Sequence, residues 1–368
     1  MTHAYSIRLF QSGDEGKIVS LLSFVFKGWP HYDLPCSPLD HWKWKFMSGQ
    51  HEMSTIIVAE SDGMIIGCDH GLFTNIKIGE KVMKCRQGVN SAVHPDFRGM
   101  GVYSNLDKLK TKIGIEANVG IVYYSSTNPI ILKVDLKSGS KPFPHPIPIL
   151  IRINDVDLFV KDVRFKNESK YFIRYAVQAA KVLNKVEELV AEHPKANSRV
   201  SVTNLDQFDK RVNLLWDAVK ENYCFIAERT AEYLNWRYRD PRGGVYTVKQ
   251  AVQDDEMLGY IVLRINSYEG RREGFIVDVL TLPDRFDCFE ALVGEGLRFF
   301  DEAGVNVVYY CGVLGHPYDK SLRELSFLDS RKFVNVYYGS RVEGEDISQF
   351  EAASPGRLLF HYGDLDRI

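Results

Sequence analysis

The stretch from Ser91 to Leu109, SAVHPDFRGMGVYSNLDKL, constrains the fold of this chain more than any other. An apolar run ends at His-Pro, an Arg-Gly-Met-Gly turn follows, and a helical pattern begins directly after the turn. The first backbone N–H groups of such a helix have no partner within the helix, and the helix macrodipole places partial positive charge there. Glycines let an anion approach this backbone because they have no Cβ. The stretch therefore predicts an anion-binding turn between a strand and a helix.

The turn matches neither of the common nucleotide-binding motifs. It lacks the G-K-[ST] of a Walker A loop, and Gly99 and Gly101 alone do not make G-x-G-x-x-G. Arg98, which precedes them, can add a charge-assisted hydrogen bond to a phosphate. We therefore expect a phosphate site of another class.

The order of the predicted elements repeats along the chain. A strand, a helix, a hairpin around Ser-Asp-Gly, the strand before the glycine turn, a helix and a further strand form the first copy. From about residue 199 the same order begins again. Trp44 precedes Gly67 in the first copy, and Trp236 precedes Gly259 by the same number of positions in the second. This self-similarity predicts two copies of one α/β unit.

The segment VHPDFRGMGVYSNL resembles motif A of the GNAT superfamily of N-acyltransferases, usually written V-x-P-x-x-R-G-x-G-x-[GA]. The matching residues are Val93, Pro95, Arg98, Gly99 and Gly101. The resemblance covers residues 1 to about 155 and implies that the turn holds the pyrophosphate of an acyl-CoA, with acetyl-CoA as the expected co-substrate. The residues implied in this contact are Ala92, Val93, Arg98, Gly99, Met100, Gly101, Val102, Tyr103 and Asn128.

The implied fold class is α/β, of the α+β kind, with two GNAT-like units that are each a mixed, mostly antiparallel twisted sheet flanked by helices. We assign the chain to a first unit with the acyl-CoA motif, a helical linker, a second unit and a C-terminal tail, at residues 1–155, 156–198, 199–345 and 346–368. The corresponding turn of the second unit, LTLPDRFDCF, lacks the glycines of a phosphate cradle. We expect the second unit to bind no CoA and to help form the acceptor cleft.

Acyl transfer to an amine needs a neutral nucleophile, donors for the developing oxyanion and an acid for the leaving thiolate. The resemblance implies an oxyanion contact from a backbone N–H near Ala92 or Val93. A tyrosine often follows the family's asparagine by six or seven positions as the acid, but Val134 and Asp135 stand there in this chain. Tyr103 is a second departure, because the motif has a small residue at this position, and we expect its ring to point away from CoA.

The residues offer several candidates for the remaining roles, each with a structural alternative. Tyr124 is the candidate acid or a buried core tyrosine. Asp69 and His70, at the end of the hairpin strand, are candidate bases or capping and turn residues. Trp29 and Tyr32, in an aromatic segment after the first helix, are candidates for binding the acceptor or for covering the sheet edge.

Composition limits the classes of partner. The formal net charge of −2 gives no basic surface for nucleic acid or an anionic membrane, and no apolar run reaches the length of a membrane span. Six scattered cysteines without a C-x-x-C pair predict reduced thiols and no metal site. We predict a cytoplasmic monomer or homodimer that transfers an acyl group from acyl-CoA directly to a primary amine of a small molecule or sugar. The alternatives are an aminoacyl transferase of the Fem type and a non-catalytic CoA-binding scaffold.

Overall fold

The computed structural model describes residues 4–48, 54–155, 200–268, 270–340 and 347–366. The predicted helical linker lies outside the described residues. The helices within these ranges are α1 Glu15–Val25, α2 Pro38–Met47, α3 Val102–Glu116, α4 Pro129–Lys137, α5 Lys210–Val219, α6 Ala231–Arg239, α7 Phe286–Glu302, α8 Tyr318–Glu324 and α9 Ser348–Glu351. The strands are β1 Ser6–Leu9, β2 Thr55–Ser61, β3 Met64–Ile78, β4 Lys81–Val93, β5 Ile121–Ser125, β6 Lys141–Pro142, β7 Pro148–Ile153, β8 Ser201–Asn204, β9 Phe225–Ala227, β10 Thr247–Gln253, β11 Glu256–Tyr268, β12 Arg271–Thr281, β13 Val307–Cys311, β14 Leu328–Phe333 and β15 Val336–Ser340.

Two mixed sheets contain these strands. The first has the order β1-β2-β3-β4-β5-β15-β6, with β9 paired to the end of β3, and the second has the order β14-β7-β13-β12-β11-β10-β8. Each sheet contains one parallel pair, β4 with β5 and β12 with β13, and its other pairs are antiparallel. The prediction of two mixed, mostly antiparallel sheets flanked by helices is confirmed.

Strands of the two predicted units are exchanged between the sheets, since β7 joins the second sheet and both β9 and β15 join the first. Strand β7 lies between β13 and β14 of the second sheet, and β15 lies between β5 and β6 of the first. The predicted boundaries at 155 and 345 therefore do not follow the sheets. Strand β7 precedes the first boundary but pairs with β13 and β14, which follow it. Pro142 lies in the edge strand β6, where its missing N–H costs no ladder hydrogen bond.

Helices cover both faces of the first sheet. On one face, Ile18 and Leu22 of α1 and Trp42 of α2 pack in a core with β2 and β3. On the other face, α3 packs closely, because a Cβ on Gly67 would lie 2.9 Å from Val102. The start of α3 is thus fixed against β3, beside the end of β4.

The two repeated tryptophans meet at the interface of the units. The rings of Trp44, in α2, and Trp236, in α6, stack with centroids 4.8 Å apart and an interplanar angle of 15°. The two tryptophans that occupy equivalent places in the sequence repeat therefore contact each other in the structure.

The segment predicted to be a C-terminal tail is part of the core. Leu358, Leu359 and Phe360 are at most 1% exposed, and the N–H of Leu359 donates to the carbonyl of Phe225 in β9 at 2.8 Å. No helix in the described ranges is long and apolar enough to cross a membrane.

Candidate active site

Strands β4 and β5 separate from each other after a short parallel contact. They pair from Cys85 with Ile121 to Gly88 with Tyr124. Among the described residues, none of the last five positions of β4 pairs with β5. The first sheet therefore has an opening between β4 and β5, which we call the first opening.

A bulge shapes the edge of the first opening. Asn90 and Ser91 of β4 lie opposite Asp69 of β3, and Asn90 has a φ of 47°. A bulge of this kind turns the strand and redirects its backbone groups. His70 holds it, because its Nδ1 lies 3.1 Å from the carbonyl oxygen of Asn90.

The predicted phosphate turn joins β4 to α3. Gly99 and Gly101 have φ values of 80° and 78°, a region that favours glycine, and α3 begins at Val102. Gly101 is the N-cap and has no side chain that could accept from the first N–H groups of α3. A Cβ built on Gly99 would meet no atom within 4 Å, so the space in front of the turn is open. An open glycine turn at a helix N-terminus has the form of an anion-binding site.

Side chains hold the turn in this shape. The Tyr5 hydroxyl donates to the carbonyl of Met100 at 3.0 Å and accepts from the Asn105 amide at 2.8 Å. Arg98 Nε donates to the carbonyl of Val93 at 3.2 Å, which places its guanidinium at the exposed side of the turn. Tyr5 lies far from the motif in the sequence, and no local pattern indicates its role.

Tyr103 points its hydroxyl at Asp135. The hydroxyl lies 3.1 and 3.4 Å from the two carboxylate oxygens, and Asp135 is 5% exposed. Burial raises the pKa of Asp135, and the Lys110 ammonium and hydrogen bonds from Tyr124 and Tyr103 oppose this effect. Burial also raises the pKa of Tyr103, so its hydroxyl stays protonated. The position that lacks the family's tyrosine thus holds a carboxyl group that two tyrosines contact.

Asp69, a candidate base, lies in a buried ion pair. It is 0% exposed, its carboxylate pairs with the Lys110 ammonium, and it accepts from the Ser91 hydroxyl at 2.6 Å. Asp107 also lies 3.7 Å from Lys110. These contacts tie α3 to the bulge and leave the carboxylate without a path to substrate in this structure.

His70, the second candidate base, is also 0% exposed. Its Nε2 accepts from the Trp42 indole N–H at 3.1 Å, and its ring stacks on Phe46 with centroids 4.4 Å apart. Burial lowers the pKa of His70 to about 4. At neutral pH the ring is therefore neutral, with Nδ1–H directed at the Asn90 carbonyl.

The other predicted residues lie in different places. Asn128 is the N-cap of α4 and accepts from the N–H of Ile130 at 3.0 Å, so its amide already has a local role. Ala92 is 4% exposed and pairs with Cys68 in β3. The Tyr124 ring stacks on Tyr337 of the exchanged strand β15, with centroids 5.6 Å apart.

A cleft opens on the α2 face of the first sheet, between the two units. It contains about 450 Å³ of empty space, part of which is open to solvent. Its lining consists of Tyr32, Trp44, Lys45, Leu72, Phe73, Thr74, Gln87, Tyr123, Tyr233, Trp236, Arg237, Gly363, Leu365 and Asp366. Gln87 and Tyr123 are paired partners of β4 and β5 just before the first opening, so the cleft and the opening share these strands.

Of the two residues predicted to bind the acceptor, only Tyr32 lines the cleft. Its hydroxyl lies 3.1 Å from His41 Nε2, and the Arg264 guanidinium lies 4.8 Å from its ring centroid. Trp29 is 7% exposed and packs in the core against His41, so the prediction that it borders the acceptor site is not supported by its position.

The cleft contains a buried ion pair that the sequence did not indicate. Lys45, 3% exposed, pairs with Asp366 and donates to Asn90 Oδ1 at 3.0 Å. Burial lowers the pKa of Lys45, and the Asp366 carboxylate opposes this effect. Lys45 thus links the bulge of β4 to the C-terminal segment across the cleft.

Comparison with known proteins finds similar structures and no similar sequence. No protein-family model and no curated protein sequence matches the chain. The structure is similar to that of N-myristoyltransferase from Saccharomyces cerevisiae with bound myristoyl-CoA, with a TM-score of 0.61, 12% identity, and coverage of 92% of this chain and 80% of that one. It is equally similar to a GCN5-related N-acetyltransferase from Anabaena variabilis, with a TM-score of 0.61, 11% identity, and coverage of 91% and 72%.

A third similar structure matches the tandem arrangement. A tandem GNAT protein from the clavulanic acid biosynthesis pathway has a TM-score of 0.55 and 12% identity, with coverage of 93% of this chain and all of that one. Both units and both sheets of the present chain are therefore included in the likeness. The protein has the GNAT-superfamily fold, present twice in one chain.

Proposed function

We propose that the protein is an acyl-CoA-dependent N-acyltransferase that binds acyl-CoA at the Gly99–Gly101 turn and an amine in the cleft between the units. The observation that carries this proposal is the course of β4. Its end leads into the phosphate turn, its bulge borders the first opening, and its middle forms the floor of the cleft. One strand thus joins the proposed donor and acceptor sites.

Acetyl is the acyl group that this arrangement supports best. The buried residues on the α3 side of the first opening include Lys110, Asp69 and Asp135. A long acyl chain in this region would have to displace an ion pair, which is costly in a buried site. A short acyl group needs no such displacement.

Tyr124, Tyr103 and Asp135 are the proposed proton source for the leaving thiolate. The raised pKa of Asp135 favours its protonated form more than that of an ordinary aspartate, which suits an acid. Asp69 and His70 are buried and have partners, so we no longer propose them as bases. We assign them the role of holding the bulge, where the backbone near Ala92 and Val93 is the proposed oxyanion contact.

Binding of acetyl-CoA, measured by calorimetry, tests the proposal. We expect micromolar binding, which corresponds to about −8 kcal/mol. Gly99→Ala should weaken it at least tenfold, because the new Cβ points into the space where the phosphate would lie. Gly304→Ala is the matched control, because Gly304 also has a positive φ, 65°, and no atom within 4 Å of its Cβ position.

Two results would contradict the proposal. A folded wild-type protein that does not bind acetyl-CoA would refute the acyltransferase function. Equal binding by Gly99→Ala and Gly304→Ala would place the cofactor elsewhere. Turnover of acetyl-CoA with a panel of primary amines then separates an enzyme from a CoA-binding scaffold, and the net charge of −2 does not favour an aminoacyl-tRNA donor.

A further inference from the structure

The second sheet has an opening that corresponds to the first. Strands β12 and β13 pair in parallel only from Glu273 with Val307 to Phe275 with Tyr309. Strand β12 continues to Thr281 and β13 to Cys311, so the two strands separate beyond this contact. We call this gap the second opening.

The C-terminal segment lies in the second opening. The two ring nitrogens of His361 lie 3.2 Å from the carbonyl oxygens of Val279 in β12 and Cys311 in β13. His361 is 1% exposed. One side chain thus contacts the backbone on both sides of the gap.

Gly363 and Asp364 complete this contact. A Cβ on Gly363 would overlap the Tyr238 hydroxyl and lie 3.3 Å from the carbonyl oxygen of Val277 in β12, so only glycine allows this close approach. The Asp364 carboxylate pairs with the Arg229 guanidinium at 2.8 Å, and Arg229 also reaches Asp278 of β12 at 3.2 Å. His361, Gly363 and Asp364 therefore attach the segment to the second sheet, Asp364 through Arg229.

The same segment reaches the first opening. The carbonyl of Asp364 accepts from the Gln87 amide at 2.9 Å and from the Tyr123 hydroxyl at 3.3 Å. Two residues later, Asp366 pairs with Lys45, which donates to the bulge residue Asn90. The segment thus connects the second opening to the two strands that border the first.

We propose that the second opening is a ligand site whose occupant is the chain's own segment 361–366. This segment lies in the second opening as acyl-CoA would lie in the first opening. The comparison rests on the proposed function. The chain consequently binds one acyl-CoA, and displacement of the segment weakens acyl-CoA binding at the first opening through Gln87 and Tyr123.

The first test is the stoichiometry of acetyl-CoA binding to the wild-type chain. We expect one equivalent per chain by calorimetry, and two equivalents would overturn the proposal. If no acetyl-CoA binds, the proposed acyltransferase function fails. The occupied second opening is then judged by hydrogen exchange, which needs no added ligand.

Hydrogen exchange of Gly363→Ala tests the occupancy directly. The new methyl group overlaps the Tyr238 hydroxyl, so we expect faster amide exchange at the ends of β12 and β13 and about threefold or greater weakening of acetyl-CoA binding. Gly356→Ala, whose Cβ would lie 3.3 Å from Pro317, is the matched control and should behave as the wild type. Adding Tyr238→Phe to Gly363→Ala removes the overlapping oxygen and should restore both readouts.

Unchanged exchange in Gly363→Ala would show that the segment does not occupy the second opening. Faster exchange with unchanged acetyl-CoA affinity would overturn the coupling between the two openings. If Gly363→Ala does not fold, Asp364→Asn, which keeps the length of the side chain and removes its charge, takes its place in both measurements.

Discussion

Protonation of His70 should destabilise the protein at mildly acidic pH. The fold keeps this ring neutral, because burial lowers its pKa from 6.5 to about 4 and the Trp42 N–H occupies Nε2 as an acceptor. The unfolded chain takes up a proton near pH 6.5, whereas the folded chain resists it until about pH 4. Below pH 6.5 the unfolded state therefore binds more protons than the folded state. The free energy of unfolding consequently decreases as the pH is lowered.

The size of this effect follows from the difference between the two pKa values. This difference in the pKa of His70 corresponds to about 3 kcal/mol of the free energy of unfolding, which is lost as the pH falls from roughly 6.5 to 4. Between pH 7 and pH 5 we expect a loss of about 2 kcal/mol from His70 alone. Protonation keeps the contact of Nδ1–H with the Asn90 carbonyl but removes the acceptor of the Trp42 indole N–H, so the loss arises where α2 packs on β3.

Urea unfolding of the wild type and His70→Gln at several pH values between 5 and 7 measures the effect. His70→Gln removes the titrating ring, so its free energy of unfolding should fall by about 2 kcal/mol less than that of the wild type over this range. The other buried histidines, His41, His316 and His361, contribute equally to both proteins and cancel in the difference. Parallel pH profiles would refute the argument that burial keeps His70 neutral.

Three further predictions concern the first unit. Lys110→Met should lower the free energy of unfolding by about 3–5 kcal/mol in urea because it leaves the Asp69 carboxylate buried without its partner, and adding Asp69→Leu should recover most of the loss. Tyr103→Phe removes a hydroxyl 3.1 Å from Asp135 and should cost about 1 kcal/mol of stability, while kcat falls more than acetyl-CoA affinity. Arg98→Gln should weaken acetyl-CoA binding roughly tenfold and reduce its salt dependence, as calorimetry at two salt concentrations would measure.

The shape of the glycine turn could be predicted because its determinants are local. Two glycines between a strand and a helix leave few other conformations, and the structure gives both of them a positive φ. The tandem fold could be predicted because the repeat preserves the order of the elements.

The exchanged strands and the internal ligand could not be predicted, because both depend on pairing between distant parts of the chain. Strand β7 follows a proline-rich stretch that indicates an edge, yet it lies inside the second sheet. Within residues 347–366, which the structure describes, the apolar run Leu358–Phe360 is the one local sequence signal of burial. Lys45 lies in an aromatic helix that suggests an exposed cation, but distant Asp366 pairs with it.

The strand exchange sets the order in which the protein can be completed during synthesis. Strand β5 pairs with β4 on one side and lacks β15 on the other until Val336–Ser340 has left the ribosome, late in translation. An interior edge that waits for a distant partner is open to pairing with other chains, and such contacts form slowly. Neither half of the chain therefore contains all the strands of its own sheet, and a truncation between the two units would leave both sheets incomplete.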